Sequence, residues 1–343
     1  MSAFRQQMED AARAVEILSP TRYAWLGEPA EPLPEHVESR LSADDARGYL
    51  LYGLETRLYG DFYIRGHATI SRPHEQVDTV RGDPMLVESL SRSHSGSGCW
   101  EPGWKFLARE DDRVVVERGG LVLRATREEC RGLPRGGKAG TGAEIEVRYP
   151  KELLRASPGF YTALGDRPFD GSEGIVRIYW NITAEGAVPF VREATRLLNK
   201  ARSGARFKVA NDPRLYDRCD SAVVYFPRAD ALRAGDVVRG LHAAVAAQLG
   251  PQVPAFTRRL ATGVGLAEDP GGSLSFGQSR CHVLADGLIR AHERGATTVD
   301  ARVAVVQEAF EEEGLDPAAP YLNPGSVDEY DLEIDELTAG IRG

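Results

Sequence analysis

The side chains of this chain that are best suited to chemistry are cations and phenols gathered in its second half. In Val176-Arg177-Ile178-Tyr179-Trp180-Asn181-Ile182, period-two alternation puts Arg177, Tyr179 and Asn181 on one face of a strand and four apolar side chains on the other. The same rule applied to Arg206-Phe207-Lys208-Val209-Ala210 turns Phe207 and Val209 toward the core and Lys208 the opposite way. The turn Asn211-Asp212-Pro213 and the run Tyr216-Asp217-Arg218-Cys219-Asp220 lead into a third strand, Ser221 to Phe226, so Lys208 and Arg218 are expected to converge. A single Lys or Arg at a strand edge is ordinarily a solvated charge. Five polar groups on one face, backed by apolar ones, instead suit an anionic ligand. Arg280 lies at the start of a predicted helix, within Leu274-Ser275-Phe276-Gly277-Gln278-Ser279-Arg280-Cys281, where backbone N–H groups also favour an anion.

Other chemistries find little support. The glycines of Arg131 to Gly142 do not fit G-x-x-x-x-G-K-[ST], and Lys138 precedes Ala139, so a basic surface loop is expected there. Ser95-Gly96-Ser97-Gly98 lacks the frame of a nucleophile elbow. The His residues are dispersed without H-E-x-x-H, and Cys99, Cys130, Cys219 and Cys281 form no CxxC pair; no metal, no cofactor and no disulfide framework is expected. With 42 Lys and Arg against 51 Asp and Glu, the net charge of −9 disfavours nucleic acid as a partner. No stretch approaches the roughly 20 apolar residues of a membrane span. The N-terminus lacks the apolar core of a signal peptide, so no membrane association and a cytoplasmic location are expected.

The elements that must position these residues follow from periodicity. A chain of 343 residues, 42% hydrophobic and 27% charged, is long enough for two lobes. Residues 1–90 read as mainly helical, broken by the proline-rich linker Glu28 to Pro34 and resuming from Asp44 to Tyr59. Residues 91–150 form a small β-rich lobe with strands Trp104–Ala108, Arg113–Glu117, Leu121–Thr126 and Glu144–Tyr149, turned at Asp111-Asp112 and Gly119-Gly120. Such a lobe could take up a leader peptide by strand addition. The core, 151–325, combines the three strands above with helices over Pro189–Lys200, Ala229–Leu249, Gly277–Arg294 and Val299–Glu313. Residues 326–343 form an acidic tail. Strands and helices mix without a βαβ repeat, which predicts an α+β fold: a mixed or antiparallel sheet flanked by helices.

Gly159-Phe160-Tyr161, Arg177 to Asn181, Phe207 to Pro213, Tyr216 to Asp220 and Ser275 to Cys281 together resemble the HopA-type effector family. That family includes plant-pathogen type III effectors and the stand-alone lyases of class V lanthipeptide and thioamitide (RiPP) biosynthesis. The resemblance runs from His94 to Gly325, through Gly103-Trp104 and Leu322-Asn323-Pro324-Gly325, and leaves the first 90 residues largely uncovered.

The resemblance implies that 151–325 is a lyase core removing phosphate from phosphoserine or phosphothreonine of a precursor peptide, leaving dehydroalanine or dehydrobutyrine. Its partners would be that phosphorylated peptide and a separate peptide kinase. The related phosphothreonine lyases use a Lys base, a His acid and Arg residues on phosphate. Lys208 and Arg218 fall in the Lys and Arg places, and Tyr179 stands where those lyases hold the acid His, with His94 a second candidate. A neutral Lys208, its proton repelled by Arg177 and Arg218, would take the Cα proton. Arg177, Arg218 and Arg280 would bind the phosphate. Tyr179 would protonate the leaving oxygen, its acidity raised by the arginines, while Asn181, Asn211 and Asp212 orient the peptide or the lysine. Two rival readings use the same face without turnover: a non-catalytic phosphoprotein-binding module, and a scaffold for a peptide-modifying kinase.

Overall fold

The computed structural model describes residues 3–66, 81–134 and 140–334. Lys138 and its neighbours in the basic loop, and the acidic tail from residue 335, lie outside the described residues. The N-terminal region is α1 (Ala3–Ala14), three short strands β1 (Val15–Ser19), β2 (Arg22–Trp25) and β3 (Glu28–Pro29), α2 (Glu35–Glu38), α3 (Ala43–Leu58), a π-helical turn over Tyr59–Tyr63 and α4 (Pro84–Ser93). The small sheet β1-β2-β3 was not expected from a region of helical periodicity: β1 alternates buried Val15 and Ile17 with exposed Glu16 and Leu18, but β2 and β3 have only four and two residues to continue the pattern. The helix α3 starts at Ser42, whose hydroxyl accepts the Asp45 N–H, and it buries Ala46, Leu50, Leu54 and Leu58 at one-turn spacing.

The β lobe contains β4 (Trp100–Glu110), β5 (Arg113–Arg118), β6 (Leu121–Thr126), β7 (Cys130–Arg131) and β8 (Glu144–Arg148), an antiparallel sheet of order β6-β5-β4-β8-β7 around Trp104, Phe106, Val116 and Ile145. The larger sheet comprises β9 (Glu152–Leu153), β10 (Phe160–Ala163), β11 (Ile175–Trp180), β12 (Arg206–Ala210), β13 (Ala222–Pro227), β14 (Arg258–Ala261) and β15 (Val264–Glu268), in the order β14-β15-β11-β13-β12-β10-β9. Every pairing in these sheets is antiparallel, and helices flank them, as the α+β reading expects.

One face of the larger sheet is covered by α5 (Ala187–Lys200), α6 (Arg228–Ala231) and α7 (Gly235–Val245). The helix α5 buries Phe190, Val191, Ala194 and Leu198. Its Pro189 costs no hydrogen bond because it lies in the first turn. The Phe190 ring meets Trp180 edge-on at 5.6 Å and Phe207 at 5.8 Å, tying β11, α5 and β12 together. The helix expected over Ala229–Leu249 is interrupted between Ala231 and Gly235 and closes with a 3-10 turn over Ala246–Gln248. Gly235 weakens any helix passing through it.

The opposite face is only partly covered. The helices α8 (Phe276–Glu293) and α9 (Val299–Glu312) pack with α1, α3 and the π-turn over Tyr179, Val223 and Ala267. The helix α8 is set by a reciprocal cap in which Ser275 Oγ accepts the Gln278 N–H and Gln278 Oε1 accepts the Ser275 N–H. At Gly277 the ring of Tyr63 lies against the helix backbone, where an added Cβ would sit 2.2 Å from Tyr63 Cε1. Gly277→Ala is therefore expected to destabilise the fold by about 1–3 kcal/mol through overpacking. Gly48→Ala, exposed within α3 with no atom within 4 Å of the new Cβ, is expected to stabilise by about 0.5–1 kcal/mol. Denaturant unfolding of both variants checks this, and equal shifts in one direction would contradict it.

Candidate active site

Antiparallel register fixes which side chains share the partly covered face. Tyr179 lies opposite Val223, Val223 opposite Lys208 and Lys208 opposite Thr162; one row away, Arg177 lies opposite Tyr225 and Tyr225 opposite Arg206. Opposed residues of an antiparallel pair project to the same side. Arg177, Tyr179, Lys208, Arg206, Tyr225 and Phe160 thus form one surface, with β13 between the strands of Arg177 and Lys208.

Its centre is Phe160. The Lys208 amine sits 4.0 Å from the ring centroid and the Arg218 guanidinium 5.1 Å from it, so strand and following loop deliver two cations to one aromatic platform. Asp220, 3% exposed, binds Arg218 through a bidentate pair: Nε to Oδ1 at 2.5 Å and Nη2 to Oδ2 at 2.9 Å. Burial alone would favour a neutral acid, but Arg218 first and Lys208 next hold the Asp220 carboxyl below the usual range. The surroundings of Lys208 therefore include a buried carboxylate as well as guanidinium groups. Arg218 keeps Nη1 outside the pair.

Three phenols border this centre. Tyr63 stacks on Tyr59 at 5.3 Å and meets Phe276 at 6.2 Å, and Tyr179 meets Phe276 at 6.4 Å. Tyr179 is 2% exposed, and its hydroxyl has no hydrogen-bond partner among the described residues. Burial, opposed by Arg177, pushes its pKa up to about 12, which corrects the expectation that the arginines make it more acidic. Tyr59 is half-buried, and burial likewise raises its pKa, with Asp220 adding to the rise and Arg218 opposing it.

Arg177 is committed to Asp269, Nε donating to Oδ2 at 2.6 Å, and lies 5.3 Å over the Tyr225 ring. Arg280, 1% exposed, donates to the carbonyls of Pro320 at 2.7 Å and Leu322 at 2.9 Å and to Ser279 Oγ at 3.0 Å. It clasps the segment whose Asn323 binds Glu268 and the Asp269 carbonyl. Asn181 Nδ2 donates to the Gln252 carbonyl at 3.0 Å. Asn211 pairs its backbone with Gly159 and Asp83, and Asp212 receives the N–H and guanidinium of Arg214, fixing a 3-10 turn over Pro213–Leu215. His94 caps α4 with Nδ1 accepting the Gly96 N–H, and Ser95 beside it bonds Thr195 of α5; this places His94 on the side covered by α5, away from Lys208. Burial first, then Lys151, lowers the His94 pKa.

Four members of the cluster carry no chemical signal in the sequence. A phenylalanine and a carboxylate in or beside strands, as at Phe160 and Asp220, are ordinary residues for their positions. Tyr59 and Tyr63 lie more than 140 residues from Lys208 in sequence, just past the end of α3.

Residues 152–322 match the model of the HopA1 effector protein family. No curated protein matches the chain. Among solved structures, the chain is similar to the effector protein from Pseudomonas syringae pv. tomato strain DC3000, with 16% identity, TM-score 0.47, and coverage of 80% of this chain and 95% of that one. It is similar also to the effector protein from Pseudomonas syringae pv. syringae strain 61, with 16% identity, TM-score 0.47, and coverage of 93% and 95%.

Asp220→Asn would leave a largely enclosed guanidinium without its counterion, and a loss of about 2–4 kcal/mol, somewhat less than for a fully buried pair, is expected. Because the folded-state pKa of Asp220 is depressed, the pair contributes fully above the unfolded carboxyl value of about 3.9 and fades as pH falls through the lower folded value. Unfolding free energies of wild type and variant are thus expected to approach one another on acidification; a gap independent of pH would contradict the assignment.

Proposed function

We propose that this chain, whose residues 152–322 belong to the HopA1 effector protein family, is a lyase that eliminates phosphate from phosphoserine or phosphothreonine of a peptide phosphorylated by a separate kinase. The observation that carries the reading is the convergence of the Lys208 amine and the Arg218 guanidinium on the Phe160 ring, at 4.0 and 5.1 Å.

Elimination needs a base for the weakly acidic Cα proton, cations for the phosphoryl oxygens and a proton for the leaving oxygen. Lys208, in its unprotonated form, accepts the Cα proton. The electron pair of the Cα–H bond becomes the second bond between Cα and Cβ, and the Cβ–O bond breaks. Arg218, held by Asp220, presents Nη1 to the phosphoryl group without having to be oriented when substrate arrives. One of the phenols Tyr59, Tyr63 and Tyr179 supplies the leaving oxygen with its proton. Arg177, one row away and tied to Asp269, extends the cationic surface along the peptide. Arg280 acts at one remove, by fixing the 320–322 segment beside Asp269.

A phosphoserine peptide incubated with the protein and EDTA is expected to lose the mass of phosphoric acid and to show dehydroalanine. Lys208→Ala is expected to lower that rate by at least about 100-fold while phosphopeptide binding stays measurable. Recovery of unmodified serine would mean hydrolysis instead, and tight binding with no product in the wild type would make this surface a phosphoprotein-binding module.

A further inference from the structure

Of the three phenols bordering the Phe160 centre, Tyr59 alone combines exposure with proximity to Arg218. Tyr63 and Tyr179 are both 2% exposed, and the Tyr179 hydroxyl is sealed. Tyr59 is half-buried and opens the π-helical turn, an element that recurs at functional sites because its extra residue re-aims side chains. The turn is fastened to the loop that carries Arg218. The Cys219 N–H donates to the Ile64 carbonyl at 2.6 Å, and Arg65 Nη2 reaches Asp217 at 3.1 Å. Gly66, at φ +70°, lies so near Cys219 that an added Cβ would come within 3.2 Å of its Sγ. These contacts set the Tyr59 ring, stacked on Tyr63, beside the Arg218–Asp220 pair, with its hydroxyl within side-chain hydrogen-bonding reach of Arg218.

The leaving group creates the need for such a residue. Breaking the Cβ–O bond of a phosphate monoester dianion releases a phosphate trianion, a strong base, unless the bridging oxygen is protonated as it departs. We propose that Tyr59, contributed by the N-terminal region outside the family-matched segment, is the general acid, its hydroxyl protonating the bridging oxygen as the Cβ–O bond breaks. This rests on the lyase reading above. The protons balance: Cα loses one to Lys208, Tyr59 gives one to the leaving oxygen, and hydrogen phosphate departs. The Lys208 ammonium then returns a proton to the Tyr59 phenolate, directly or through water, which restores the site. Burial keeps the phenol protonated in the resting enzyme. His94 is excluded from the role by its place on the α5 side of the sheet.

The test uses the full chain and two peptides identical but for phosphoserine or O-sulfoserine. Sulfate is a weak base and leaves without a proton, so a missing general acid harms only the phosphorylated peptide. Tyr59→Phe, confirmed as folded by its melting curve, is expected to lose about 100-fold or more in kcat on phosphoserine with KM little changed. Its turnover of O-sulfoserine is expected to stay near that of the wild type, whereas Lys208→Ala loses both. An equal loss on both peptides, or none on either, would overturn the assignment of Tyr59. If the wild type refuses the sulfated peptide, the phosphoserine kinetics decide: a loss confined to kcat supports the proposal and a loss through KM overturns it. Absence of dehydroalanine with wild type defeats the lyase reading itself, a result distinct from a normal wild type and an unaffected Tyr59→Phe.

Discussion

The buried Arg218–Asp220 pair is the constraint around which the active face is organised. A guanidinium this enclosed must be compensated, and the carboxylate that compensates it also occupies two of its donor nitrogens and fixes its plane. With the plane fixed, the guanidinium and the Lys208 amine share the Phe160 ring, and the end of the π-turn is bonded to the loop that carries Arg218. The pair acts in three ways: it stabilises the loop, it orients the cation, and it supplies the negative charge that offsets the repulsion between two neighbouring cations.

The two faces of the larger sheet divide the work. Behind it, Trp180, Phe190 and Phe207 interlock between strands and α5, forming a dense apolar layer that resists deformation. In front, α8 covers the Tyr179 end of the face, while Arg206, Lys208 and Tyr225 retain exposure. The cover is possible because Gly277 lets the Tyr63 ring approach the α8 backbone, so a glycine in one motif sets the position of an aromatic from a distant part of the chain. Arg177 and Arg280 are linked through Asp269, Asn323 and the 320–322 carbonyls, a polar chain that anchors the C-terminal segment against the same sheet.

Much of the fold was legible because its strands and helices are amphipathic. The alternation in Val176 to Trp180 and Arg206 to Ala210, and the three- and four-residue spacing in Phe190 to Leu198, are direct imprints of one buried face. Elements too short to repeat a pattern escaped: β2 and β3, the four-residue strands β10 and β14, and the break that splits α6 from α7, while β1 was missed inside a region read as helical. Arg280 illustrates a different limit, since an arginine at a helix start reads as an anion contact until the carbonyls that occupy it are seen.

The amino-acid sequence by itself determined the face on which Lys208, Arg177 and Tyr179 lie, because a strand's alternation depends only on local backbone geometry. It determined also the membership of 152–322 in its family, which is carried by residues in the chain's own order. The partners of those side chains were decided by tertiary structure alone. Carbonyls rather than a ligand on Arg280, and Tyr59 beside Arg218, depend on contacts between segments tens to more than a hundred residues apart, and the Arg218–Asp220 pair, local in sequence, owes its burial to the same packing. Such contacts are selected by the packing of whole elements, and no local periodicity encodes them.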